Sequence, residues 1–208
     1  MRRLLTALPL LGLFTACSES VTGTVDGEPV RGARQSYYHI ETYEIPFIGE
    51  FPLLILLTSD VGGSCEVFDT IYSSATGSCE ETCEELAEAS GDIPGGAHWN
   101  LIFTALLDDD ILGKYELAGN ELELEGFTAG FSSWNGGDLK DEATCEDQCE
   151  DGDGIFEGLT GPDDGDLMLE GYAENEALSG EFNLDFDGDN ALTGGFSAQP
   201  CASLADLF

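Results

Sequence analysis

The amino-acid sequence predicts an all-β protein, an antiparallel β-sandwich of about ten short strands. Apolar and polar residues alternate in short runs, most clearly over 99–107, and turn residues separate the runs. The runs 53–57 and 99–107 are apolar enough that they are expected to need cover on both faces. With 42% hydrophobic and 10% aromatic residues, the chain is expected to fold despite its many acidic side chains. A lipocalin-like barrel is the alternative architecture.

The predicted elements follow from local patterns. The chain opens with a hairpin of Val21–Val25 and Glu28–Val30, where Asp26-Gly27 supplies the positive φ of a tight turn. Asp187–Asn190 is expected to form the turn before the last strand, and a β-bulge at Glu125-Gly126 would bring two sets of apolar residues inward. The other predicted strands are 36–45, 51–58, 99–107, 114–117, 121–133, 167–173, 178–186 and 192–198.

Two helices and one insertion interrupt the strand pattern. Residues 65–74 place aromatic and apolar side chains on one helical face, which predicts a short helix. A second helix is expected to begin at Ser78, because Glu81 three residues later completes a capping box. Residues 136–154 hold eight acidic residues, so we expect an acidic, cysteine-containing surface insertion there.

The N-terminal stretch has the features of an export signal. Arg2 and Arg3 precede an apolar run that ends in small residues before Cys17. The run is too short to cross a bilayer, which needs about 20 apolar residues. Phe14-Thr-Ala-Cys17 resembles the lipobox of bacterial lipoproteins. This resemblance implies that residues 1–16 are a signal peptide and that the Cys17 thiol carries a diacylglycerol. Residues 17–208 would then form a single β-rich domain.

A lipoprotein signal predicts a location in the cell envelope, with the membrane as a partner through the lipid. Ser18 follows Cys17 where enteric lipoproteins retained in the inner membrane commonly have aspartate. The resemblance therefore points to the outer membrane. Only Ser18, Glu19 and Ser20 separate Cys17 from the first apolar alternation, so the domain is expected to sit close to the bilayer.

The charge of the chain excludes some partners. The formal charge is −36, and without the two signal arginines the expected mature part carries −38. Nucleic acid is excluded as a partner, because its phosphates must be met by lysine and arginine. An anionic membrane surface would repel the domain, so the lipid must provide the tether. Adaptation to a salty medium, binding of divalent cations and solubility are the three explanations that compete for the acidity.

Six cysteines remain once Cys17 is assigned to lipid. An even number in an exported chain implies three disulfides, and six cysteines allow 15 connectivities. The two Cys-x-x-x-Cys segments resemble the doubly stapled helical hairpins of small disulfide proteins. That resemblance implies the pairs Cys79–Cys149 and Cys83–Cys145, which leaves Cys65–Cys201. A four-cysteine zinc site is the alternative, although zinc ligands are usually spaced more closely and lie where thiols stay reduced.

Acidic turns provide candidate calcium ligands, and calcium is the one cofactor that the sequence suggests. Asp151 and Asp153 lie on one glycine-rich loop, and Asp187 and Asp189 on another, with carboxylates at alternate positions. Neither loop fits the EF-hand pattern. In so acidic a chain, solvated turns are the competing interpretation.

No catalytic motif is present. The chain has no His-Glu-x-x-His segment and no Gly-x-Ser-x-Gly elbow, and His98 beside Trp99 is expected to be structural. Three functions therefore stay open: a non-catalytic, lipid-anchored envelope protein with a structural or binding role, a calcium-dependent module for carbohydrate or protein, and a secreted hydrolase that uses paired carboxylates. The sequence identifies no particular protein or carbohydrate partner.

Both ends of the chain show a broader similarity. Residues 21–30 near the lipid cysteine and residues 180–201 resemble recurring segments in predicted lipoproteins of unassigned function from deltaproteobacteria such as myxobacteria. The resemblance implies a β-rich envelope lipoprotein and assigns no functional residues. The twin Cys-x-x-x-Cys segments are not part of this similarity.

Overall fold

Strands make up most of the chain that the computed structural model describes. The described residues are 20–45, 49–63, 65, 79–93, 95–107, 111–118, 126–141, 143–146 and 160–207. Within them the strands are β1 Ser20–Val25, β2 Glu28–Arg31, β3 Gln35–Ile45, β4 Gly49–Ser59, β5 Ala97–Leu106, β6 Gly113–Leu117, β7 Gly126–Asn135, β8 Asp164–Ala173, β9 Ala177–Asp185 and β10 Ala191–Pro200. The helices are α1 Cys79–Ala89 and the short 3₁₀ turns Ser90–Asp92, Asp138–Lys140 and Ala202–Leu207.

Eight of these strands close into a barrel. Their order is β10-β3-β4-β5-β7-β6-β8-β9, and β9 pairs again with β10. The sandwich prediction is therefore wrong. The barrel alternative is correct in that the sheet closes on itself. Two neighbouring pairs, β3 with β10 and β6 with β7, run parallel, so the sheet departs from a purely antiparallel meander.

Strand β10 explains how the sheet closes on itself. One side of β10 pairs with β9 along Ala191–Ala198. Its other side pairs first with β1 through Leu192–Gly195 and then with β3 through Ala198–Pro200. The β1–β2 hairpin thus occupies the part of the β10 edge that β3 does not reach. Unpaired strand edges expose backbone donors and acceptors, and this division of one strand between two partners covers most of those along β10.

Alternate side chains of every barrel strand fill the interior. Phe103 contacts Phe127 and Phe182, with ring centroids 5.9 Å and 5.2 Å apart. An eight-stranded barrel is just wide enough for side chains to fill. The buried interior residues include Leu54, Leu56, Leu101, Phe103, Phe127, Leu167, Leu169, Leu178, Phe182, Leu184, Leu192 and Phe196.

Paired glycines make room for two interior phenylalanines on the β9–β10 ladder. Phe182 lies opposite Gly194, and Phe196 lies opposite Gly180. A methyl group on Gly194 would lie 2.8 Å from Phe182 Cζ and 2.9 Å from Val21 Cγ2. The rings therefore use the space that the missing side chains leave, which locks the register of these two strands.

The prediction that β4 and β5 are buried on both faces is confirmed. One face lies in the barrel interior, and the other is covered by residues outside the barrel. Ile55 and Leu57 on the outer face of β4 pack with Leu204 of the C-terminal 3₁₀ turn. A second outer cluster lies beneath α1 and joins it to the neighbouring strand β7. Its members are Val61, Cys83, Leu86, Ile93, Trp134 and Cys145.

Two disulfides fasten this outer layer. Cys65 bonds to Cys201 with Cα atoms 6.1 Å apart, and Cys83 bonds to Cys145 with Cα atoms 5.7 Å apart. Both are among the pairings suggested above. Cys79 is also disulfide-bonded, and its expected partner Cys149 lies outside the described residues. Because Cys83 and Cys145 are bonded to each other, they are not thiolate ligands for zinc.

Several local predictions are confirmed and others fall outside the description. The first hairpin turns at Asp26 and Gly27, whose φ values are 52° and 81°. Helix α1 begins at Cys79 and buries Cys83 and Leu86 together, as their three-residue spacing on one helical face predicts. The Ser78 cap, the helix at 66–74 and the bulge at Glu125 lie outside the described residues.

Candidate functional site

A cleft of about 310 Å³ opens at one rim of the barrel, beside the connection between β2 and β3. Three separate segments form it: the end of β2 with its loop, the residues after β4, and the start of β5. Its lining consists of Arg31, Gly32, Ala33, Arg34, Asp60, Val61 and His98.

Backbone hydrogen bonds hold the arginine loop in place. Gly32 adopts φ +67°, a left-handed conformation that reverses the chain after β2. The Gly32 amide donates to the carbonyl oxygen of Val21 at 2.8 Å, and the Arg34 amide donates to that of Ser59 at 2.9 Å. The loop is thus fixed to β1 on one side and to β4 on the other, which sets where both arginines leave the backbone.

An aspartate and a histidine form the floor of the cleft. Asp60 accepts a hydrogen bond from the Trp99 amide at 3.0 Å through Oδ1, and its Oδ2 lies 3.2 Å from His98 Nδ1. The His98 ring also contacts Trp134, with centroids 5.0 Å apart. The predicted structural role of His98 fits this geometry, because Asp60 and Trp134 both restrain the ring.

A buried polar network supports the floor from beneath. The Val61 amide donates to Ser59 Oγ at 3.1 Å, and Ser59 Oγ donates to the Trp99 carbonyl oxygen at 3.3 Å. The side-chain amide of Asn100 is oriented so that its nitrogen donates to Ser59 Oγ at 2.9 Å and its oxygen accepts from Trp134 Nε1 at 2.8 Å. Only 1% of Asn100 is exposed. Satisfied buried networks of this kind rigidify the groups above them.

The cleft holds an unusual share of the positive charge. Arg31 and Arg34 are two of the four basic residues in the expected mature chain, and both are exposed. Among the described residues, neither guanidinium forms an ion pair with a carboxylate. In a chain with 42 acidic residues, two arginines that line one cleft and form no ion pair create a local site that favours an anion.

Two polar groups inside the barrel have no partner among the described residues. They are the Tyr38 hydroxyl and Trp99 Nε1, and 4% and 7% of these residues are exposed. Burial raises the pKa of Tyr38, and the neighbouring Tyr172 adds to the rise. The backbone of Asn175 acts in the opposite direction and lowers the pKa of Tyr38. The two tyrosine rings meet edge to face with centroids 6.2 Å apart.

The residues proposed as sites from the sequence do not gather in one place. Cys17, Asp151 and Asp153 lie outside the described residues. Asp187 and Asp189 are exposed in the β9–β10 turn, which is closed by hydrogen bonds of Asn190 to Asp187 and Phe186. The described part of the chain contains no group of three or more potential metal ligands.

Sequence reasoning missed the cleft, although one signal was available. Arg31 and Arg34 are half of the cations in the expected mature chain, yet they lie within four positions of each other. Asp60 and His98 could not be joined to them without the strand pairing, because they are distant in sequence.

Comparison with protein-family models, with curated proteins and with solved structures found no match for this chain. Among the described helices, none is both long and apolar enough to cross a membrane.

Proposed function

We propose that the protein is a lipid-anchored, non-catalytic protein of the cell envelope that binds a ligand at the arginine cleft. The signal that ends at Cys17 is the observation that carries the anchor. Strand β1 begins at Ser20, only three residues later, so a lipid on Cys17 would hold the barrel against the bilayer. Ser18 after Cys17 supports the outer membrane as its location.

The composition of the cleft supports binding over covalent catalysis. Its lining residues include no serine, threonine or cysteine that could act as a nucleophile beside His98. Asp60 is already used by the Trp99 amide and by His98, which suits a fixed floor. The two arginines supply charge and hydrogen-bond donors, which are what recognition of an anion needs.

The packing of the barrel supports a ligand at the rim. Aromatic and branched side chains occupy the interior, including the contacts of Phe103 with Phe127 and Phe182. A ligand in the interior would have to displace these side chains. The rim cleft is open without any such rearrangement, and its volume lies at the lower end of the usual range for small-molecule sites.

Metabolic labelling with palmitate tests the anchor. The wild-type chain should incorporate label, and Cys17→Ala should incorporate none, because the acceptor thiol is removed. Ser18→Ala is the matched control and should be labelled like the wild type. Label on the Cys17→Ala chain, or its absence from the wild type, would contradict the proposed lipid anchor.

A further inference from the structure

The arginines of the cleft differ from the other cations of the described chain. Lys114 Nζ lies 3.8 Å from a carboxylate oxygen of Glu116, and Lys140 Nζ donates to the Gly91 carbonyl oxygen at 3.1 Å. Arg31 and Arg34 have no comparable partner among the described residues. The two cations without such a partner among the described residues therefore line the same cleft.

Covalent geometry places these arginines near the proposed lipid. Arg31 pairs directly with Thr22 across the first hairpin. Thr22 is five residues from Cys17, and an extended chain spans at most about 3.3–3.6 Å per residue, so roughly 18 Å is the upper limit of that separation. A lipid on Cys17 would therefore keep the cleft close to the bilayer surface.

The chemistry of the cleft suits a phosphate group. Guanidinium groups present fixed pairs of N–H donors that match phosphate oxygens, and charge-assisted hydrogen bonds of this kind are among the strongest in proteins. The loop that carries Arg34 is pinned by hydrogen bonds to Val21 and Ser59, so part of the ordering cost is met before binding. Asp60, the acidic group of the cleft, lies on the floor and is held by Trp99 and His98.

We propose that Arg31 and Arg34 bind the phosphate of a membrane-lipid headgroup and so orient the anchored barrel with its β2–β3 rim on the bilayer. This rests on the proposed lipid anchor, which brings the cleft to the membrane. The contact between these arginines and the phosphate also offsets, locally, the repulsion between an anionic membrane surface and a domain with a formal charge of −38. Such a phosphate could alternatively be free in solution, and the experiment separates the two sources.

Solid-state NMR measures the contact directly. Once the signal peptide is removed, Arg31 and Arg34 are the only arginines of the chain, so arginine labelled with ¹⁵N in the guanidinium reports this cleft alone. The lipidated protein is placed in phosphatidylglycerol vesicles without free phosphate, and dephasing of ¹⁵N by ³¹P is recorded. A second sample uses vesicles of the phosphate-free digalactosyldiacylglycerol with added inorganic phosphate.

We expect dephasing in phosphatidylglycerol and none in the glycolipid with inorganic phosphate. Arg31→Gln and Arg34→Gln each leave one labelled arginine, and the dephasing of its ¹⁵N signal should fall. Lys114→Gln removes a charge elsewhere and should leave the dephasing unchanged. Equal dephasing by inorganic phosphate would overturn the headgroup assignment, as would its absence from both samples. The intact mass of each sample shows separately whether Cys17 carries lipid, so a failed anchor and a failed cleft are distinguishable.

Discussion

Replacing Gly194 with alanine tests the register that closes the barrel. Gly194 faces the interior opposite Phe182 on the β9–β10 ladder. The added methyl group would lie 2.8 Å from Phe182 Cζ and 2.9 Å from Val21 Cγ2, closer than carbon atoms pack, so the ring or the hairpin must shift. Overpacking of a filled core costs about 1–3 kcal/mol. For a domain of this size, about 2 kcal/mol lowers the melting temperature by roughly 4–8 °C.

The next residue provides the matched control. Gly195 belongs to the same strand but faces the other way, and a methyl group there would lie 3.7 Å from the Gly180 carbonyl oxygen, an ordinary contact. Gly195→Ala should therefore change the free energy of unfolding by less than about 0.5 kcal/mol. Equilibrium urea unfolding with the disulfides intact measures both variants.

A double-mutant cycle identifies the ring as the cause. Phe182→Leu shortens the side chain that meets the new methyl group, so its effect should be coupled to that of Gly194→Ala by about 0.5–3 kcal/mol. A loss for Gly195→Ala as large as that for Gly194→Ala would refute the inward assignment of Gly194. Strict additivity in the cycle would refute the Phe182 contact as the source of strain.

Three further perturbations address the interior hydroxyl, the disulfide layer and the charge. Burial raises the pKa of Tyr38 above its ordinary value of 10.0, so the stability it contributes is present below pH 10 and is lost as the pH rises through the folded-state pKa. Tyr38→Phe should therefore flatten the alkaline decline in the free energy of unfolding; an unchanged alkaline slope in urea titrations would contradict this. The double variant Cys83→Ala/Cys145→Ala should lose about 2–4 kcal/mol in the same assay, and a stability equal to wild type would show that the outer layer does not depend on this bond. Sodium chloride up to about 1 M should raise the melting temperature by screening repulsion among the acidic residues, and calcium at matched ionic strength should add nothing further; a rise specific to calcium would instead support calcium binding by the acidic loops.

The strand positions could be predicted because alternation is a local signal. The strand expected over 99–107 forms as Ala97–Leu106, and its odd-numbered side chains face the core. The turn at Asp187–Asn190 and the first hairpin also depend only on neighbouring residues. Such features are determined within a few positions of the chain, which is why composition and spacing suffice.

Closure could not be predicted, because it depends on pairing between distant segments. The apolar residues of β4 correctly predict burial on both faces. A sandwich and a barrel with an outer layer both require such residues, so this pattern does not distinguish them. What distinguishes them is that β10 pairs with β9 on one side and with β1 and β3 on the other. The parallel pairing of Ala198 with Ser36 leaves no mark in either local sequence.

The candidate site escaped prediction for the same reason. Arg31 ends β2, Arg34 follows it, Asp60 follows β4 and His98 lies on β5. The pairing of β3, β4 and β5 brings these distant segments together. The sequence drew attention to acidic loops because carboxylates are abundant. The rarer residues, Arg31 and Arg34, were the more informative signal.

The intact mass of the protein extracted from its membrane, measured without reduction, tests the anchored-barrel interpretation most directly. We expect a chain that begins at Cys17, carries a diacylglyceryl group and has its six other cysteines oxidised. A chain with no lipid at Cys17 would contradict the anchor, and the orientation of the cleft toward the bilayer would lose its basis. Free thiols at Cys83 and Cys145 would contradict the disulfide layer that covers the barrel.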